Sequence, residues 1–212
     1  MCWNAAVSLN TFLFSSFALL LIIYNNSFTK YKIKELNNKW TYIFFESIIL
    51  MQLIEFFLWR NINNKYYNKL FSIVAISLLV IQPIAGIMII KTTTIRNVLL
   101  FVYLLLAIPY SIYQFSTKKI HTSVSKNGYL EWYFFKNSFL VLFVWFFCVF
   151  FSIIYEKIWT LVIFSIITLI ILSIKYRDSA GSMWCWVINS IMIYYIIYLL
   201  FFLPFLEKMQ IC

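Results

Sequence analysis

Apolar residues along this chain fall in runs of about 18–23, separated by short polar or charged breaks. Seven runs stand out, at about 5–24, 40–59, 69–90, 95–115, 136–155, 157–174 and 183–205. At 1.5 Å per residue each is long enough to cross a ~30 Å hydrocarbon layer. Backbone polar groups have no partner in lipid, so such runs must satisfy them internally as helices. The pattern therefore predicts an all-α, polytopic membrane protein: a seven-transmembrane-helix bundle forming one integral membrane domain over residues 1–212. The connections are short apart from 25–39 and 116–135, which are expected as loops. The break at Glu156–Lys157 rests on length: one helix over 136–174 would run ~58 Å, so two spans joined by a tight turn are expected. Pro83 and Pro109 lie inside the third and fourth runs, where a missing N–H and a ring clash kink a helix.

Composition agrees with the pattern. The chain is 64% apolar, 22% aromatic and 11% charged, against roughly 45–50% apolar and 25% charged in soluble domains. A formal charge of +10 would suggest nucleic acid in a soluble protein, but the 17 Lys and Arg are spread over every connection. That distribution fits anchoring at a lipid headgroup surface, so the expected partner is the bilayer, with no nucleic acid. The first 24 residues hold no Lys or Arg and no small-residue cleavage site, so the first run reads as a retained helix. Seven spans place eight Lys and Arg on one side and nine on the other, and the positive-inside rule does not decide. Lys30, Lys32, Lys34 and Lys39 follow the first run and none precedes it, which points to an exoplasmic or lumenal N-terminus.

Parity decides which chemistry-bearing residues share a face. With seven spans the N-terminus, the loops at 60–68, 116–135 and 175–182 and the start of the last span lie on one side. Cys2 and Cys185 then lie on the same face, and the only histidine, His121, sits in a loop that opens onto it. In "ILMQLIEFFLWR" the residues Gln52, Glu55 and Trp59 stack on one helix face by i, i+3, i+7 spacing. Glu55 lies about five residues, or ~7 Å, below that surface. An ionisable residue inside a span costs a few kcal/mol even on the lenient insertion scale and should point into the bundle toward a partner or water. The bland alternative is an interfacial carboxylate paired with Arg60 or a loop lysine. In "GSMWCWVINS" the residues Ser182, Cys185 and Asn189 share a face, while the flanking Trp184 and Trp186 read as an aromatic belt.

Thiolate, imidazole and carboxylate are the zinc ligand set. Cys2, His121, Cys185 and Glu55 are thus candidate metal ligands, with Glu55 also a candidate catalytic base acting on metal-bound water. Gln52, Ser8, Ser182, Asn189 and Trp59 would orient them. The spacing matches no metal motif of the CxxC or HExxH kind. Two other readings of the cysteine pair stay open: a Cys2–Cys185 disulfide closing the first helix on the last, natural on an exoplasmic or lumenal face, and two unrelated buried thiols. Cys148 and Cys212 read as bystanders. The leading functional expectation is a membrane-embedded, zinc-dependent hydrolase of a lipid-like substrate. Its competitor is a non-enzymatic membrane protein, either a small-molecule or proton carrier that titrates Glu55 or a structural component braced by the disulfide. A carrier should show polar residues continuing to the far side, where Gln82, Gln114 and Glu46 are sparse.

Familiar seven-helix activities are excluded by missing residues. No span carries the interior lysine that a retinal Schiff base needs, no DRY-like triplet follows span three, and span seven has no NPxxY. One histidine cannot supply the HxxxH pair of hydrolases related to alkaline ceramidase.

"MCWNAAVS" at the start, "QLIEFFLW" ending span two, "QP" in span three, a loop histidine and "GSMWCW" opening span seven resemble a family of small multi-pass membrane proteins without a known activity. Its bacterial members begin with a Met-Cys-Phe/Trp-Ser-Ala type of sequence and carry a Gln-x-x-Glu-x-x-x-Trp motif and a late Ser-x-Trp-Cys motif. The resemblance spans nearly the whole chain through about twenty positions. It implies that Cys2, Gln52, Glu55, Trp59, Ser182, Trp184 and Cys185 are signature positions. Asn4 stands where such members often have Ser, which argues against a hydroxyl role there.

Overall fold

The computed structural model describes residues 4–117, 120–132 and 139–210. Its long helices are α1 (Ala5–Phe28), α2 (Lys39–Arg60), α3 (Lys65–Ile87), α4 (Thr93–Thr117), α5 (Phe139–Tyr155) and α6 (Trp159–Lys175). The last helical rod is built from α7 (Ala180–Asn189), α8 (Ile191–Ile197) and α9 (Leu203–Gln210). A π-helical turn, Tyr198–Phe202, joins α8 to α9. Pro204 follows that turn, and the Leu203 N–H reaches five residues back to the Tyr198 carbonyl. Five helices are long and apolar enough to cross a membrane: Ala5–Phe28, Lys39–Arg60, Lys65–Ile87, Thr93–Ser116 and Ala180–Glu207. The apolar helices Phe143–Tyr155 and Trp159–Lys175 are shorter.

Helix starts follow local chemistry. Asn4, Asn38 and Asn64 each accept backbone N–H bonds in the first turn of α1, α2 and α3, as asparagine at an N-cap does. Asn4 thus has a capping job that explains it without a hydroxyl. The break between α5 and α6 falls where length demanded it. Lys157 adopts φ 60°, its N–H reaches the Ile154 carbonyl, and the Ile158 N–H reaches the Ile153 carbonyl. This is a Schellman ending, sealed by the buried Ile153 and Ile158.

Helix α2 is the central element, packed against α1, α3 and α7. Within its most apolar stretch 61% of the residues are buried, against 11% for α4, which rests on the outside of α3 and α5. Two sets of connections mark the two ends of the bundle. At one end the Asn38 amide donates to the Ile89 carbonyl, the Lys91 N–H donates to Glu156, and Lys30 and Tyr31 bind Glu207. At the other end Asn68 of α3 and Ser179 at the start of α7 both hold the 120–132 segment.

That segment is where the fold departs from the expected loop. It is a β-hairpin, β1 (Thr122–Val124) paired antiparallel with β2 (Leu130–Trp132), in the register Thr122↔Trp132, Ser123↔Glu131, Val124↔Leu130. Lys126, Asn127 and Gly128 form its turn. The Gly128 N–H bonds to the Ser125 carbonyl, the Ser125 N–H bonds to the Tyr129 carbonyl, and Gly128 sits at φ 79°. A three-residue turn that ends on a left-handed glycine is a standard hairpin connection. Leu130 and Trp132 point to the same side and are buried, together with Ile120, against Met51, Ile54, Leu58, Ala75, Ile76 and Leu79.

Candidate functional site

Helix α2 carries Gln52 and Glu55 fully buried, and the Gln52 amide donates to a Glu55 carboxylate oxygen at 3.0 Å. The i, i+3 spacing puts the two on one face, and the central position of α2 removes that face from solvent. Glu55 is thus fully buried rather than exposed at the helix end. Helix α7 runs antiparallel to α2 and packs on it, bringing Cys185 into the same apolar cluster as Met51, Ile54 and Leu58 and within electrostatic reach of Glu55. Ser182 and Asn189, one turn to either side of Cys185, are buried with it. The Asn189 amide donates to the Cys185 carbonyl at 2.7 Å. Trp59, one turn past Glu55, is half-buried, and its indole N–H is buried without a hydrogen-bond partner among the described residues.

The tryptophans around Cys185 do not form an interfacial belt. Trp184 is buried and donates to the Ser165 carbonyl of α6 at 3.1 Å. Its ring meets Trp145 and Phe146 of α5 edge-on, with centroids at 6.1 and 5.7 Å. Trp186 donates to the Thr11 hydroxyl of α1 at 2.9 Å. A belt indole keeps its N–H among headgroups and water, whereas both of these are bonded to neighbouring helices. Tryptophan on either side of Cys185 therefore fixes the rotation of α7, pinning it to α6 and α5 on one side and α1 on the other.

The hairpin roofs this end. Asn68, buried in the first turn of α3, donates to the Thr122 carbonyl and accepts from the Thr122 N–H, both at 2.9 Å. It also donates to the Ile62 carbonyl at 3.2 Å, and the hydroxyls of Ser72 and Thr122 meet at 2.9 Å. Both backbone groups of Thr122 point away from β2, so Asn68 stands in for the missing neighbouring strand. The Ser179 hydroxyl donates to that of Ser125 at 2.9 Å, tying the start of α7 to the hairpin turn. Asn68 was not among the sequence candidates, because a polar residue in the first turn of a span reads as interfacial. The dipeptide Asn127–Gly128 between alternating Thr122, Val124 and Leu130, Trp132 was the signal for the hairpin.

His121 sits half-buried at the start of the hairpin. Among the described residues no three of His, Cys, Asp and Glu come together as a group able to hold a metal ion, so His121 does not complete such a group with Glu55 and Cys185. Cys2, the remaining ligand candidate, lies outside the described residues, as does Cys212. Cys148 is buried in α5 beside Ile87 of α3 and Tyr103 of α4, in a cluster separate from Cys185. A small void of about 10 Å³ lies on the far side of Cys185, walled by Phe44, Ile48, Gln82, Trp145, Val149 and Trp184 among others. It is at the threshold for a single water.

What this arrangement offers chemically is a buried carboxylate oriented by an amide, a thiol next to it and a set of hydroxyls and amides in the same seam, all under a hydrogen-bonded cover. Set against protein-family models, curated proteins and solved structures, the chain matches none of them.

Proposed function

We propose that the chain is a seven-span integral membrane protein with its N-terminus on the exoplasmic or lumenal side, and that its polar site beneath the hairpin is a metal-dependent hydrolase centre for a lipid-like substrate. The observation that carries the reading is Glu55: completely buried, held by Gln52 and set beside the Cys185 thiol at the covered end of the bundle. A carboxylate in that position is expensive to keep and its geometry is controlled, which is what a ligand or general base requires. Zinc would be held by Cys185 and Cys2 with Glu55 or His121, and would supply an acidified water. Gln52, Ser182, Asn189 and Trp59 would set the ligands' orientation. A site about 7 Å below the helix end suits an ester or amide near the headgroup level.

Elemental mass spectrometry on the detergent-purified protein tests this. Near-stoichiometric zinc in the wild type that is lost in Cys185→Ala and Glu55→Ala is the expected result. A freshly prepared wild type free of transition metal would overturn the metalloenzyme. The second reading, a carrier that uses Glu55 as its intramembrane binding group, is favoured by one observation: buried polar atoms without partners among the described residues continue a turn deeper than Glu55.

A further inference from the structure

Two of those atoms are carbonyl oxygens of amides whose nitrogen is already committed. Gln52 gives its amide N–H to Glu55, and Asn189 gives its own to the Cys185 carbonyl. The Cys185 carbonyl can only accept, which fixes the orientation of Asn189, and an ionised Glu55 fixes that of Gln52 in the same way. Gln52 Oε1 and Asn189 Oδ1 are left as buried acceptors with no donor among the described residues. The hydroxyls of Ser8 and Ser15 on α1 are in the same condition, and both residues are completely buried.

Helix register brings these atoms to two levels of one seam. Glu55 and Cys185 are level on the antiparallel α2 and α7. Gln52 lies three residues and Asn189 four residues deeper, about 4.5 and 6 Å at 1.5 Å per residue, so these two are level as well. The Trp186–Thr11 bond aligns α1, which runs parallel to α7. Ser8, three residues before Thr11, falls level with Ser182 and Cys185, and Ser15, four residues after it, falls level with Asn189. Ser8, Ser15, Ala18, Leu19, Ile22 and Asn26 form the buried stripe of α1, and the partners of that helix are α2, α7 and α8. The upper level thus holds Ser8, Glu55, Ser182 and Cys185. The lower holds Ser15, Gln52 and Asn189.

We propose that the lower level, Ser15, Gln52 and Asn189 beneath the Glu55 carboxylate, is a binding site for an alkali-metal cation stripped of most of its water. The oxygen set of hydroxyl, two amide carbonyls and a carboxylate is that of a hard cation. Interhelical oxygens at mid-membrane depth replace hydration water in the same manner as the carbonyl cages of channels and transporters. One carboxylate neutralises one positive charge, and a divalent ion would leave a net charge buried at prohibitive cost. A bound cation turns each left-over acceptor and the Glu55 carboxylate into ligands at once, whereas a single water has only two hydrogens to donate. The site goes beyond the hydrolase reading, uses neither thiol, and shares Glu55, Gln52 and Asn189 with it.

The test is thermal unfolding of the full-length protein in detergent, followed by tryptophan fluorescence after EDTA treatment, in sodium, potassium or N-methylglucamine chloride at equal ionic strength. Sodium or potassium is expected to raise the midpoint over N-methylglucamine in a saturable way, by roughly 3–6 °C at ten times the dissociation constant. Ser15→Ala, a mild change in a helix, is expected to unfold normally in N-methylglucamine and to lose most of that shift, and Asn189→Ala to lose it as well. Equal midpoints in the three salts for the wild type would overturn the site. So would a shift that survives undiminished in both variants, since the ion would then bind elsewhere. Because zinc is removed by EDTA and counted separately, failure here and absence of zinc are distinct results.

Discussion

Replacing Asn68 by alanine should release the hairpin without unfolding the helices. The side chain holds three backbone groups, the N–H and carbonyl of Thr122 and the carbonyl of Ile62. Each buried group left without a partner costs about 1–3 kcal/mol. If all three stayed buried the penalty would be at least about 3 kcal/mol. The alternative is to lift the hairpin so that water solvates them, which exposes Ile120, Leu130 and Trp132 at up to ~1.5–3 kcal/mol each. The two routes are comparable, so the variant should remain folded with a hairpin that opens more often. A loss of about 3 kcal/mol corresponds to roughly two decades in the opening equilibrium. Hydrogen exchange read by mass spectrometry on peptides covering 120–132 should speed up about a hundredfold, while peptides from the centre of α2 stay unchanged. In a chain that keeps Cys185 as its only cysteine, thiol labelling of that buried side chain should accelerate in parallel, because the hairpin packs on the Cys185 cluster. Ser125→Ala removes only the bond from Ser179 and should give less than a decade. Unchanged hairpin exchange in Asn68→Ala would refute the clamp, and faster exchange without faster labelling would refute the hairpin as the cover of Cys185.

Substitutions at two further positions probe the opposite end. Lys157→Gly should raise the unfolding midpoint by roughly 2–4 °C, because glycine adopts φ 60° without the ~1 kcal/mol cost borne by a side chain. Lys157→Val should lower it, and the reverse order in differential scanning fluorimetry would contradict the Schellman ending. Glu35, in the connection between α1 and α2, has its carboxyl pulled above the usual range by burial, partly offset by the hydroxyls of Tyr195 and Thr160 that face it. A raised folded-state value means stability that is full at acid pH and lost as pH rises through it. Glu35→Gln should therefore match the wild type near pH 4 and exceed its midpoint near pH 7, and a difference independent of pH would discard the assignment.

The helices were legible because their signal is strong and one-dimensional. Runs such as 40–59 leave no other structure open, and the Glu156–Lys157 break followed from length alone. Glu55 and Gln52 were legible for the complementary reason, as polar residues inside an apolar run. What escaped were features whose meaning depends on a neighbour distant in sequence. Asn68 resembles an interfacial residue until Thr122, 54 positions away, is known to lie against it. Trp184 and Trp186 resemble a belt until their N–H groups are seen bonded to Ser165 and Thr11. Ser8 and Ser15 lie seven residues apart on one stripe, a periodicity visible in the sequence, but only the register of α1 against α7 gives them a level. The three-residue strands were too short to compete with the hydropathy pattern despite an Asn-Gly turn.

The same contrast separates structural polar residues from working ones. At the end holding Glu35, Asn26 is as deeply buried as Asn189, yet its amide is fully used. It donates to the Tyr42 hydroxyl at 2.8 Å and to the Ile33 carbonyl at 3.5 Å, and accepts from the Ile33 N–H at 2.8 Å. An amide satisfied from all sides fixes a loop and has nothing left for a ligand. Asn189 and Gln52 each make one bond with nitrogen and keep an oxygen without a donor among the described residues, in a region where an idle acceptor costs about 1–3 kcal/mol. Apolar replacement at both positions would remove that penalty if packing were all they provided. A cation bound as proposed would engage both oxygens beside the buried carboxylate and remove that penalty, and the seam between α1, α2 and α7 would then be the place where the protein does its work.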